Sequence, residues 1–301
     1  MHATTLPSTV TLAVLAAALA HATWNAMAHR IKDQVVAFGL IGVGSVAVAI
    51  PLVALVAVPR GASWPYLLGS VAIHVFYNLL LMRSFTYGDF GQVYPLARGT
   101  SPLVVTFLAA AFAAERPTAG QLAGVLVISA GLGTLVLTGF PGGLRGVVTP
   151  GASTARRSSP PSRAALAAAF GTGLTIAAYT TVDGLGVRLS ASPAGYIGWL
   201  MLLESLCVPA WALARRQREI RVLPRGVLAS GLAAGALAVL AYGLVLWAQT
   251  RGALAPIAAL RETSVIFGAV IAAVFFKEPF GRTRILAATL VAAGILVLNL
   301  A

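Results

Sequence analysis

Two segments of this chain, about half its length apart, carry nearly the same arrangement of proline, arginine and glutamate. The first runs from a proline through Arg98 to Glu115, and the second runs from a proline through Arg261 to Glu278. The interval from arginine to glutamate is 17 residues in both segments. Each arginine lies inside an apolar run long enough to cross a bilayer, where a charge is costly and marks a functional site by default. The repeat therefore predicts two matched halves, each with a buried cation.

Apolar segments fill almost the whole chain. Of its 301 residues, 58% are hydrophobic and 10% are charged, whereas roughly 25% of the residues of a soluble domain are charged. A helix needs about 20 apolar residues to cross a bilayer core, and these runs lack the polar face that a helix on a soluble protein requires. We therefore predict an all-α integral membrane protein with ten transmembrane helices, at residues 9–29, 34–58, 64–87, 91–114, 118–138, 164–188, 193–214, 224–249, 254–276 and 281–300.

One hydrophilic connection, residues 139–163, divides the ten spans into five and five. It is rich in Pro, Gly and Arg, which is the composition of a flexible linker. It separates a first repeat, residues 1–138, from a second repeat, residues 164–301. Because five is an odd number, the second half enters the membrane upside down relative to the first. We therefore expect inverted repeats around a central cavity.

The positive charge of the chain predicts its orientation. A net charge of +13 is also typical of nucleic-acid binding, but here the basic residues lie mostly between apolar segments. Fifteen Lys and Arg residues lie at or after the ends of odd-numbered spans, and only four lie after even-numbered spans. The positive-inside rule then predicts a cytoplasmic linker and both termini outside. No nucleic-acid partner is predicted.

Residue patterns that support catalysis or metal binding are absent from the sequence. Cys207 is the only cysteine, which excludes an intrachain disulfide and a cysteine metal site. There is no Ser/His/Asp spacing, no histidine pair with metal-ligand spacing and no Gly-rich phosphate loop. Residues 9–29 follow no basic n-region, so we interpret them as a helix of the mature protein rather than a signal peptide. We predict no enzymatic activity, no cofactor and no metal.

The two arginine segments, the five-plus-five plan and the motif from His21 to Asn25 (HATWN) resemble the drug/metabolite transporter superfamily. Within it the chain is similar to EamA-type transporters, which have two EamA domains of five helices each, and only the linker falls outside the resemblance. The resemblance implies a ten-helix basket with alternating access, export of amino acids or other metabolites across the bacterial inner membrane, and no nucleotide hydrolysis. Many relatives are drawn with both termini in the cytoplasm, whereas the charges of this chain indicate the opposite.

Span 4 carries a polar stripe, because Tyr94, Arg98 and Ser101 recur at helical spacing. A guanidinium at this depth can bind a substrate carboxylate through two hydrogen bonds. Alternatively, it pairs with an intramembrane acid and holds helices together. Arg261 has the same two alternatives. Its neighbour Glu262 points about 100° away around an α-helix, so we expect each of the two to find a partner on another helix.

Three acids inside predicted spans are candidates for proton coupling: Asp183, Glu204 and Glu262. A carboxylate in a low-dielectric site takes up a proton readily unless a cation holds it ionised, so each can couple proton flow to substrate flow. The alternative for Asp183 is a salt bridge to an arginine. Glu115 and Glu278 end their spans beside prolines, and we expect them to bond helix ends or loops.

Other polar and aromatic residues recur at helical spacing or in matched positions of the two halves. His74 and Asn78 are one turn apart with Tyr77 beside them, although a histidine on an apolar helix is more often a packing residue. Tryptophan and tyrosine can wall a site for an apolar or cationic group, or anchor helix ends at the membrane interface. We expect the cavity mainly between spans 1, 3, 4, 6, 8 and 9. The predicted substrate-binding residues are His21, Trp24, Asn25, His74, Tyr77, Asn78, Tyr94, Arg98, Ser101, Tyr179, Asp183, Tyr242, Trp247, Arg261 and Ser264.

These features predict a secondary transporter that exports a small polar metabolite, with amino acids as the expected class. A flippase for a lipid or a lipid-linked phosphate or sugar would use the same arginines on a phosphate and would need a lateral opening. An importer of a small organic anion is a further alternative, and a scaffold has no reason to keep so many intramembrane charges. The expected partners are the substrate and membrane lipids. Small residues such as Gly231 and Gly235 fit close helix packing, which we assign to contacts within a monomer.

Overall fold

Helices form most of the described part of the chain, and no strand occurs within it. The computed structural model describes residues 6–87, 98, 101–139, 163–275 and 282–300. Tyr94, Glu278 and residues 140–162 of the predicted linker lie outside these residues. The helices are α1 (Ser8–Arg30), α2 (Gln34–Leu55), α3 (Trp64–Tyr87), α4 (Ser101–Phe112), α5 (Ala119–Gly139), α6 (Arg163–Leu189), α7 (Pro193–Arg221), α8 (Arg225–Gln249), α9 (Leu254–Arg261), α10 (Ser264–Phe275) and α11 (Arg282–Leu300).

The helical segments have the length and surface of a membrane protein. Large apolar side chains point outward, with Leu55 84% exposed and Phe107 74% exposed, and so many exposed apolar side chains are typical of a surface that faces lipid rather than water. The predicted all-helical chain with membrane-spanning segments is therefore confirmed. Within the described residues, six segments are long and apolar enough to cross a bilayer: Ser8–Arg30, Gln34–Leu55, Gly61–Tyr87, Pro193–Arg221, Arg225–Gln249 and Leu254–Phe275.

Polar residues at helix ends set where the long segments begin. Asp33 precedes α2, and its Oδ1 accepts hydrogen bonds from the backbone N–H groups of Val35 (2.9 Å) and Val36 (3.2 Å). Ser192 does the same for α7, accepting from Gly195 N at 3.2 Å, and Pro193 occupies the first turn. Such caps satisfy backbone donors that have no partner inside the helix. The short loops before α2 and α7 are therefore well defined.

The helices pack in pairs that join the two halves of the chain. α1 lies against α8, α2 against α7 and α8, α3 against α6, and α5 against α11. The contact between α2 and α8 is a backbone contact, since a Cβ at Gly235 would collide with the carbonyl oxygen of Ile41 and one at Gly44 with that of Leu232. Only glycine permits this approach. The glycines of α8 thus pack within the chain.

Two helices differ from the predicted spans. The ninth span is interrupted, because Glu262 and Thr263 form a turn between α9 and α10, with backbone bonds of 3.1 Å to residues three positions back. Bonds of this spacing tighten the helix locally and rotate the side chains that follow. The seventh span continues to Arg221, and its backbone leaves helical geometry at Arg216, whose Nε lies 2.7 Å from Asp33 Oδ2.

Candidate functional site

A buried ion pair links the two predicted halves of the chain. Arg98 donates through Nε to Glu262 Oε2 at 2.7 Å and through Nη2 to Glu262 Oε1 at 3.2 Å. The side chains are 2% and 0% exposed, respectively. A two-pronged arginine–carboxylate bond is among the stronger ionic contacts in proteins. Arg98 therefore has the acidic partner that was one of its two alternatives, and its contact with a substrate stays a prediction.

Arg261 is the less satisfied cation of the same group. Its Nη1 donates to Thr180 Oγ1 at 3.3 Å, and its Nε lies 3.6 Å from Glu262 Oε1. As expected, each of the two neighbours has a partner on another helix, Glu262 in Arg98 and Arg261 in Thr180, and their own contact at 3.6 Å is not a hydrogen bond. Nε and Nη2 of Arg261 make no hydrogen bond with any described residue, although the side chain is 1% exposed. We call Arg98, Thr180, Arg261 and Glu262 the ion cluster; it holds two cations and one anion.

Asp183 lies in a separate network of hydroxyl groups. Its Oδ1 accepts from the Tyr196 hydroxyl at 2.9 Å, and its Oδ2 accepts from the Tyr242 hydroxyl. The hydroxyl of Ser70 also faces this carboxylate. Asp183 is fully buried, and a buried carboxylate needs such donors. Among the described residues its hydrogen-bond partners are hydroxyls, and no salt bridge to an arginine occurs.

A cavity of about 60 Å³ lies between six of the long helices. α1, α2, α3, α6, α7 and α8 contribute its walls. Spans 1, 3, 6 and 8 are among the spans that the sequence indicates for the cavity, and spans 2 and 7 line it as well; the part of span 4 around Tyr94 lies outside the described residues. Spans 4 and 9 carry arginines that are buried in the ion cluster, whereas α2 and α7 meet the cavity mostly through apolar residues and serines. Those lining residues, which carry little sequence signal apart from Glu204, are Phe38, Ile41, Gly42, Ser45, Met201, Glu204, Ser205 and Val208.

Seven of the predicted substrate-binding residues line this cavity. They bring two histidines, an asparagine and a wall of aromatic rings together: His21, Trp24, His74, Tyr77, Asn78, Tyr179 and Tyr242. The His74 and Tyr179 rings stack with centroids 4.0 Å apart. His21 Nε2 and Trp24 Nε1 are buried and make no hydrogen bond with any described residue. The cavity thus offers polar atoms that remain available to a ligand.

The other predicted substrate-binding residues within the described chain lie outside the cavity. Asn25 donates to the backbone carbonyl of His21 at 2.8 Å. Trp247 packs beneath the Arg251 guanidinium, 4.4 Å from the ring centroid, as expected of a residue near a helix end. Ser101 and Ser264 are buried, and their hydroxyls make no hydrogen bond within the described chain.

Glu204 is the one predicted proton-coupling acid that lines the cavity. Its Oε2 lies 3.5 Å from His74 Nδ1, and the Glu204 side chain is 13% exposed. His74 Nδ1 also lies 3.0 Å from both the hydroxyl and the backbone carbonyl of Ser70. Since Ser70 also faces Asp183, a line of polar groups runs from Glu204 through His74 and Ser70 to Asp183. Proton coupling by Glu204 and Asp183 stays a prediction.

Glu115 binds the end of a helix, as its position beside a proline predicted. Both of its oxygens accept from the backbone N–H of Leu254, at 3.0 and 2.9 Å. Arg188 Nη2 lies 3.2 Å from Glu115 Oε1 and donates to the carbonyl of Gly252 at 2.8 Å. This carboxylate caps α9 and ties together the ends of α6, α8 and α9. The prediction for Glu115 is confirmed, and that for Glu278 lies outside the described residues.

Comparisons with known proteins agree with this architecture. No curated protein matches the chain, whereas 29 chains of solved structures do. One of these, a crystal structure titled only as that of a protein, has a TM-score of 0.65 and 16% sequence identity over 97% of this chain and 98% of the other. This likeness shows the fold alone. The EamA-like transporter family matches residues 8–137 and again residues 163–300. The chain therefore belongs to the EamA-like transporter family.

Proposed function

We propose that this protein is a secondary active transporter that moves amino acids or related small polar metabolites out of the cell by alternating access. Membership in the EamA-like family supports a transporter of small solutes. The observation that carries the finer proposal is the position of a polar cavity beside an incompletely bonded arginine. Tyr179 lines the cavity, and Thr180, the next residue on α6, holds Arg261.

Arg261 is suited to bind a carboxylate. Two of its donor nitrogens have no hydrogen-bond acceptor among the described residues, and a buried donor without an acceptor is costly. Arg98 shares the same carboxylate, Glu262, so the ion cluster carries more positive than negative charge. A substrate carboxylate that reaches Arg261 when the protein changes conformation would supply the missing acceptor atoms and balance the charge.

Uptake into liposomes that contain the purified protein tests this proposal. The panel consists of the labelled common amino acids, each with and without a pH gradient. We expect saturable transport, reduced at least about tenfold by Arg261→Lys, since lysine keeps the charge and loses the two-pronged geometry. Arg251→Lys, at the end of α8, is the matched control and should transport normally.

Three outcomes of this assay separate the alternatives. If Arg261→Lys transports like the unaltered protein, the carboxylate contact is wrong. If no amino acid is transported by folded protein, a lipid, a lipid-linked phosphate or sugar, or another organic anion becomes the candidate substrate. If a pH gradient leaves the rate of saturable transport unchanged, the line from Glu204 to Asp183 does not couple protons to transport.

We further propose that residues 1–138 and 164–301 are inverted repeats of five helices each. Support comes from helix packing that matches when the halves are exchanged, since α1 against α8 corresponds to α6 against α3. Arg98 and Arg261, which occupy matching positions in the two sequence segments, also meet at one carboxylate.

The charge distribution supports an inner-membrane protein with the linker in the cytoplasm and both termini outside. A cysteine-free background, Cys207→Ser, allows a direct test with a membrane-impermeant maleimide on intact cells. Gly61→Cys, on an exposed turn, should be labelled, and Arg157→Cys in the linker should be labelled only after lysis. The reverse pattern would invert the topology.

A further inference from the structure

The cavity contains one carboxylate and no Lys or Arg among its described lining residues. Glu204, on α7, is that carboxylate, and the remaining lining side chains are uncharged apart from the two titratable histidines, His21 and His74. Arg98 and Arg261 do not line the cavity. When Glu204 is ionised, the formal charge of the cavity lining is therefore negative, opposite in sign to that of the ion cluster.

Glu204 differs from the other buried acids because it has no committed hydrogen-bond donor. Its Oε2 makes no hydrogen bond with a described residue, and the nearest candidate, His74 Nδ1 at 3.5 Å, already bonds the hydroxyl and carbonyl of Ser70. By comparison, Glu262 holds Arg98 and Asp183 accepts from two tyrosines. An unpartnered carboxylate in a low-dielectric site is costly. A ligand that brings a donor or a positive charge would remove that cost.

The walls around Glu204 suit a cation that carries apolar groups. Trp24, Tyr77, Tyr179 and Tyr242 all line the cavity, and the Tyr77 and Tyr242 rings meet Tyr179 edge to face, with centroids 5.4 and 5.5 Å away. Aromatic rings attract an ammonium group electrostatically and accept apolar groups as well. The volume of about 60 Å³ limits the ligand to a compact group in this conformation.

We propose that Glu204 binds the protonated amine of the substrate inside this aromatic cavity. The inference rests on the proposed function and deepens it: the amine binds at Glu204, and the carboxylate of the same substrate is left for Arg261. The substrate class is thus a primary amine or an amino acid, and a simple organic anion lacks the group that the cavity recognises.

Ligands that differ by one charged group test this assignment. Alanine, ethylamine (alanine without its carboxylate) and propionate (alanine without its amine) form a compact set. Phenylalanine, phenethylamine and 3-phenylpropionate form a larger set with the same differences. Dissociation constants come from ligand-dependent thermal stabilisation of the purified full-length protein, because a ligand that binds the folded state raises its melting temperature.

We expect one or both amines to bind the unaltered protein and Glu204→Gln to weaken that amine at least about tenfold, the effect of losing a charge-assisted bond. Where propionate or 3-phenylpropionate binds, its dissociation constant in Glu204→Gln should stay within about twofold of that in the unaltered protein. Glu219→Gln is the matched control, since it makes the same change on an exposed part of α7. Glu204→Asp keeps the charge and should retain most amine binding, which covers the case in which Glu204→Gln fails to fold.

Each other outcome overturns the assignment. An amine site at Glu204 is excluded if neither amine binds the unaltered protein or if Glu204→Gln binds the amines with unchanged affinity. It is also excluded if Glu204→Gln weakens amines and carboxylates equally. The proposed function is judged separately by liposome transport. If Glu204→Gln transports amino acids as well as the unaltered protein, the proposed function holds and the amine site at Glu204 is wrong. If amines bind at Glu204 but nothing is transported, the amine site holds and the proposed function is wrong.

Discussion

The ion cluster and the cavity each contain a carboxylate deep in the helical bundle, and the two carboxylates have opposite surroundings. Glu262 is fully buried and is gripped by Arg98 through two hydrogen bonds. Glu204 is 13% exposed, lines a cavity and has a histidine nitrogen at 3.5 Å as its nearest charged or chargeable partner. The comparison teaches that a buried charge with its partner in place holds the helices together, whereas one without a partner keeps its acceptor atoms open to a ligand.

The largest expected effect is on the ion cluster. Arg98→Ala leaves the Glu262 carboxylate buried with only the poorly aligned Arg261, so we expect a loss of about 3–5 kcal/mol in the free energy of unfolding. Chemical unfolding in detergent measures this loss. The triple variant Arg98→Met, Arg261→Met and Glu262→Met removes all three charges of the ion cluster and should recover most of it. A triple variant as unstable as Arg98→Ala would show that the charges do not act as a group.

An intermediate effect is expected at Asp183, whose bonds are complete but neutral. Tyr242→Phe removes one of the two phenol donors from this carboxylate, and an unmet buried acceptor costs about 1–3 kcal/mol. The same unfolding assay measures the change. Tyr87→Phe removes a hydroxyl from an exposed tyrosine on α3 and should change stability by less than about 0.5 kcal/mol. Equal losses in the two variants would remove the distinction between a bonded and an unbonded hydroxyl.

The smallest effect on stability is expected at Glu204. Glu204→Gln removes a carboxylate that has no committed donor, so the free energy of unfolding should not fall by more than about 1 kcal/mol, while amine binding and transport fall. Measuring both the free energy of unfolding and amine binding in each variant sharpens the comparison, because the main effect of Arg98→Ala should be on stability. A stability loss at Glu204 as large as that at Arg98 would mean that both carboxylates hold the helices together.

The candidate site could be predicted only in part. Helical spacing identified His74, Tyr77 and Asn78, and matching positions in the two halves identified Tyr179 and Tyr242; all five line the cavity. The walls from α2 and α7 are mostly apolar side chains such as Phe38 and Met201, which look like any residue that packs a helix. Nothing in a sequence distinguishes an apolar residue facing a cavity from one facing lipid or a neighbouring helix.

The class of protein follows from composition and period alone, because backbone groups in lipid must be satisfied within a helix. Apolar runs of about 20 residues therefore sufficed for a helical membrane protein, whereas the family came from the resemblance carried by the two arginine segments, the five-plus-five plan and the motif from His21 to Asn25. The pairing of charges required the folded structure. Arg98 and Glu262 are 164 residues apart, and the turn at Glu262 brings Arg261 within 3.6 Å of the same carboxylate. Helix packing alone decides which acid receives an arginine and which, like Glu204, does not.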